Sequence, residues 1–201
     1  MGHRTASSLV TSVSLIERAG KSDAVAWERL CRLYGPVIYD WAKNSGLQSQ
    51  DASDVMQEVF ATLMRNLPSF QKRTASDSFR GWLWTVTRNK VHDFHRKRQG
   101  SANATGGSTA MYRFNDLPDD PPSDMSVEGK QEASLLWSRA MALVQNDFEP
   151  QTWQAFWRTV VMGEQPAAVA DDLGVSVWTV YKAKSRVLQR IRDEFNGVID
   201  F

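Results

Sequence analysis

The stretch 166–187, PAAVADDLGVSVWTVYKAKSRV, constrains the fold of this chain more tightly than any other. Ala170 is small where two helices must approach. Gly174 follows four residues later, where the turn after the first helix calls for a positive φ. Val175 continues the turn, Ser176 is a good N-cap for the next helix, and Val180 lies inside that helix. The spacing predicts a helix-turn-helix. In its second helix Val177, Val180, Val187, Leu188, Ile191 and Phe195 share one arc. Lys184 falls on that arc too and is expected to snorkel. The outward arc carries Trp178, Thr179, Lys182, Ser185, Arg186, Gln189 and Arg190. A recognition helix reads base edges with its N-terminal residues and touches phosphates around them. Ser176, Trp178, Thr179, Lys182, Ser185, Arg186 and Arg190 are therefore the candidate duplex contacts. Thr179, Lys182 and Arg186 suit the groove, whereas Arg190 and Arg192 suit phosphate. An ordinary helical hairpin is the competing reading.

The remainder also reads as helix. Gly and Pro sit at breaks, and no run alternates with period two over strand length. Helices are expected near 7–18, 23–34, 36–44, 51–66, 79–98, 129–145, 150–162, 166–173 and 177–195. The fold class is all-α. Trp27, Trp41, Trp137, Trp153 and Trp157 are assigned to the core. Residues 99–127 are rich in Gly, Ser, Asn, Asp and Pro and read as an acidic linker. It divides the chain into two small helical domains, 1–98 and 128–201.

The net charge is only +1, but its distribution is uneven. Residues 80–98 carry six Lys and Arg against one acid, and residues 176–192 carry five against none. Clustered positive charge is the footprint of a phosphate-backbone partner. On the helix at 79–98, Phe79, Trp82, Leu83, Val86 and Phe94 form the expected buried stripe, with Lys90 at its edge. Thr85, Arg88, Asn89, His92, His95 and Arg96 fall on the other face, flanked by Trp84 and Val91. Cations beside an exposed aromatic suit melted nucleic acid, because cations follow phosphates and rings take unstacked bases. The polar loop before this helix holds Lys72, Arg73 and Ser76. On the helix at 51–66 the apolar residues cover an arc of about 140°. Asp54, Gln57, Glu58, Ala61 and Arg65 fall opposite. That arc is either a solvated face or a protein-docking face.

Several classes are excluded. No apolar run approaches the roughly 18 residues of a membrane span, and the first residues lack the apolar segment of a signal peptide. The lone Cys31 excludes an internal disulfide and a cysteine zinc site, so the reducing cytoplasm is the expected compartment. The His92/His95 pair lacks the further ligands a metal needs. No paired acids or nucleophile–base pair suggests catalysis, and no cofactor is expected.

An ordered series of motifs carries a family resemblance. Asp54-Val-Met-Gln57-Glu58-Val-Phe60, Leu67-Pro68-Ser69-Phe70, Phe79-Arg80-Gly-Trp82-Leu83 and Arg88-Asn89 resemble region two of bacterial sigma-70 factors. The helix-turn-helix resembles region four. A chain with these two regions and a linker is similar to the extracytoplasmic-function group. The resemblance implies a protein that binds core RNA polymerase and directs it to promoters. Asp54, Gln57 and Glu58 would dock on the clamp coiled coil of the largest subunit. Lys72, Arg73, Ser76, Arg80, Trp84, Arg88, Asn89, His92 and Arg96 would read and melt the −10 element. The helix from Ser176 would enter the major groove of the −35 element, and its domain would touch the flap of the second-largest subunit. An anti-sigma factor is a further candidate partner. The chain departs from the family pattern at Thr87, Trp178 and Ala183, where Ala, Gly and a basic residue are common. The runner-up reading is a stand-alone helix-turn-helix repressor or activator that binds duplex DNA without polymerase.

Overall fold

The computed structural model describes residues 14–70, 78–104 and 126–199, and side chains up to residue 98 within the second of these stretches. The secondary structure there is helical, apart from a single bridge between Asn196 and Ile199. The order is α1 (Leu15–Gly20), α2 (Ala24–Asn44), α3 (Ser49–Asn66), a 3-10 turn (Leu67–Ser69) and α4 (Phe79–Ala104). It continues with α5 (Val127–Gln145), α6 (Pro150–Val160), α7 (Pro166–Leu173) and α8 (Val177–Phe195). No described helix is long and apolar enough to cross a membrane.

Local chemistry starts these helices where the sequence places its caps. The Asp23 carboxylate accepts from the Val25 and Ala26 amides at 2.9 and 3.1 Å, and the Ser126 hydroxyl from Gly129 at 3.0 Å. The break expected at Gly35-Pro36 is absent, and α2 runs through it. Pro36 cannot donate to the carbonyl one turn back, a defect of about 3 kcal/mol in a free helix. Burial of Leu33, Tyr34, Val37, Ile38 and Trp41 on both sides holds the helix together across it. The linker also begins later than expected, because α4 continues to Ala104. The first predicted helix falls partly on residues 1–13, outside the described residues.

α2, α3 and α4 pack around Leu30, Tyr34, Ile38, Val59, Leu63, Phe79 and Leu83. Phe79 meets Tyr34 and Phe70 edge-on, at 5.4 and 5.6 Å between ring centres. The same apolar cluster continues into the second half through Leu136, Ala140, Met141 and Val144 of α5 and Val187, Ile191 and Phe195 of α8. A separate small cluster of Ala155, Val169, Ala170, Val180 and Ala183 closes the helix-turn-helix. Trp41 and Trp153 are core residues as expected and Trp27 packs on the core's edge, but Trp137 and Trp157 are more than a third exposed.

Ions join the halves as well. Glu194 of α8 is almost fully buried and accepts from Arg18 at 3.2 Å, Arg29 at 2.8 Å and Arg190 at 2.7 Å. Asp147, after α5, takes Arg29 at 2.8 Å and Arg190 at 2.9 Å. Burial alone would raise the Asp147 pKa, but the two guanidinium groups outweigh it and hold the carboxyl below its ordinary value. Past α8, the chain tucks against α2, where the Tyr34 hydroxyl donates to the Val198 carbonyl.

Candidate polymerase and nucleic-acid interfaces

α3 buries Ala52, Val55, Val59 and Leu63, which leaves Asp54, Gln57, Glu58, Ala61 and Arg65 together in solvent. Glu58 lies 3.3 Å from Lys90 and 3.9 Å from Lys97 of α4. Exposed pairs of this kind are worth little and exchange readily with another partner. Met64, on the margin of this face, is 62% exposed and was not anticipated from the sequence. Its place beside the polar arc was the available signal.

α4 departs from its predicted register. The innermost stripe is Phe79, Leu83, Thr87, Val91 and His95, with Trp84 beside it. Trp82, Val86, Lys90 and Phe94, three of them assigned to the stripe, flank it as half-buried residues. Trp84 was expected as an exposed ring for unstacked bases, but it is 2% exposed. It packs edge-on against Trp41 at 4.8 Å. His95, expected on the outer face, is buried against the ring edge of Phe94. Packing against α2, where Trp41 covers Trp84, sets this register. The small Thr87 turns its hydroxyl inward to the Leu83 carbonyl at 2.9 Å, which lets the stripe advance every fourth residue.

The outer face of α4 keeps the other predicted side chains. Asn89 and Arg96 are exposed, and Arg88 and His92 are half-buried on the same side. Arg96 pairs with Asp93 at 2.6 Å. Arg80 is drawn away to Glu132 of α5 at 2.6 Å, an acid that also accepts from the Trp41 indole at 2.9 Å. Lys72, Arg73 and Ser76 lie outside the described residues.

The helix-turn-helix forms as its spacing predicts. Gly174 takes φ +64°, and its amide donates to the Ala170 and Asp171 carbonyls. The Ser176 hydroxyl accepts from the Thr179 amide at 3.1 Å, which caps α8. Arg158 at the end of α6 clamps the unit by binding Glu164 and, at 2.7 Å, Asp172 of α7. Hydrogen bonds from Arg158 hold the Glu164 carboxyl below its ordinary pKa. Gln151 of α6 donates to the Leu173 carbonyl at 3.0 Å. Val169, Ala170, Val180 and Ala183 make the crossing dry.

The register of α8 resolves the Lys184 anomaly. Ala183, not Lys184, faces the core, and Lys184 is exposed. Val177, assigned to the buried arc, is 38% exposed, whereas Val180 in the same turn is buried. Trp178, Thr179, Lys182, Ser185 and Arg186 are all exposed. Thr179, Lys182 and Arg186 line a shallow groove against Gln151, Thr152 and Ala155 of α6. Arg190 is two-thirds covered and engaged by Asp147 and Glu194. Tyr181, 55% exposed, was missed because its polarity did not mark it.

Comparison with known proteins points the same way. The family model for sigma-70 region 2 matches residues 30–101, the segment from within α2 through most of α4. The ECF RNA polymerase sigma factor SigE of Mycolicibacterium smegmatis is 26% identical over 188 residues, covering 91% of this chain and 67% of that protein. The RNA polymerase sigma factor CnrH of Cupriavidus metallidurans is 23% identical over 189 residues, covering 92% and 93%. The ECF sigma factor BldN of Streptomyces coelicolor is 27% identical over 124 residues, 62% of this chain, which spans only 45% of BldN. Two of these alignments run through both halves, region-two match and helix-turn-helix alike. Residues 30–101 thus match sigma-70 region 2, and over about nine-tenths of its length the chain is similar to extracytoplasmic-function RNA polymerase sigma factors.

Proposed function

We propose that this chain is a sigma factor that divides its work among three faces. Asp54, Gln57 and Glu58 dock on the clamp coiled coil of the largest polymerase subunit. The segment before α4, with Lys72, Arg73 and Ser76, and the outer face of α4, with Arg88, Asn89, His92 and Arg96, read and melt the −10 element. Arg80 joins that face once Glu132 releases it. The helix capped by Ser176 enters the major groove at −35 and presents Thr179, Lys182 and Arg186, while its domain touches the flap of the second-largest subunit. Trp84 has no base-stacking role in this assignment, since it is a core residue here.

The observation that carries the reading is the exposed acid–amide face of α3 in the same chain as a capped, basic helix-turn-helix. A duplex-binding regulator needs the second but not the first. Glu58→Lys tests it, because reversal puts a cation among Lys90, Lys97 and Arg65. The variant is expected to keep its helical circular dichroism and lose co-purification with core polymerase. Unchanged co-purification would return α3 to ordinary surface.

A further inference from the structure

The face of α8 that stands opposite its buried stripe is more aromatic than its charge suggests. Val180, Ala183, Val187 and Ile191 point inward, so Trp178, Lys182, Ser185 and Gln189 project furthest outward, with Tyr181 exposed beside them. Trp178 is 68% and Tyr181 55% exposed, within the first two turns. The Lys182 ammonium lies 4.7 Å from the centre of the Trp178 ring and steadies it without covering it. Large exposed rings at the tip of a positively charged helix have few suitable partners. The net charge of residues 176–192 selects a polyanion. The thymine C5-methyl is the apolar group that duplex DNA offers in the major groove.

Resting on the −35 reading above, we propose that Trp178 and Tyr181 are specificity-determining residues that select thymines by covering their methyl groups. Lys182 and Arg186 hold the flanking phosphates or base edges. Covering one methyl is worth about fourfold in binding.

The test uses full-length protein with core polymerase on a promoter recovered from a genomic library. Each −35 thymine is replaced by deoxyuridine, which removes only the methyl. Wild type is expected to initiate about fourfold less for each methyl lost. Trp178→Ala or Tyr181→Ala should start lower and lose that sensitivity. Equal initiation on the two templates, sensitivity retained in both variants, or a recovered −35 element without thymine overturns the proposal. Failure of wild type to initiate on any promoter removes the sigma reading itself, a separate result.

Discussion

At the scale of single residues, chemistry and position agree best in the helix-turn-helix. Gly174 sits at φ +64°, where any side chain costs about 1–2 kcal/mol. Gly174→Ala should therefore lower thermal stability by about that much. Ser176→Ala, which removes the hydroxyl serving the Thr179 amide, should cost about 1 kcal/mol. Denaturant titration checks both, and two neutral variants would mean that α8 is not started here. Asp147 gives a signed pH dependence. Its pKa is lowered in the folded protein by Arg29 and Arg190, so its contribution is present above the ordinary carboxylate value, near 3.9. That contribution is lost as the pH falls through the lower, folded pKa. Asp147→Asn should flatten stability against pH below about 4. Gly174 and Ser176 were legible because their roles are set by neighbours in sequence. Trp84 was not, because Trp41 arrives from forty-odd residues away to cover it.

At the scale of elements, the polar arc of α3 and most helix boundaries follow from periodicity and caps. The register of α4 does not, since its apolar residues fill more than one face. Burial by α2 decided which stripe turned inward, and Thr87 was the inconspicuous residue that allowed it. Pro36 misled for the same reason: local propensity favours a break, and packing overrides it. The candidate groove contacts on α8 separate by experiment. If Arg186 grips a guanine through two hydrogen bonds, Arg186→Ala should cost about 1–3 kcal/mol at one base position. If it touches phosphate alone, holoenzyme binding should weaken evenly across sequences, with a smaller salt slope.

At the scale of the whole molecule, the linker composition marks two halves but says nothing of how they meet. Arg18, Arg29, Asp147 and Glu194 look like ordinary surface charges when read along the chain. Only the fold gathers them around one buried carboxylate. Because one apolar cluster crosses the junction, the chain is expected to unfold in a single cooperative transition. Two resolved transitions would mean the halves are independent. On the proposed function, this fold serves polymerase rather than acting on DNA alone. Purified protein mixed with bacterial core RNA polymerase and a genomic promoter library, scored by run-off transcription, tests it most directly. Sequence-selective initiation that requires both the chain and polymerase is the expected result. Tight duplex binding by the chain alone, with no association with polymerase, would contradict it.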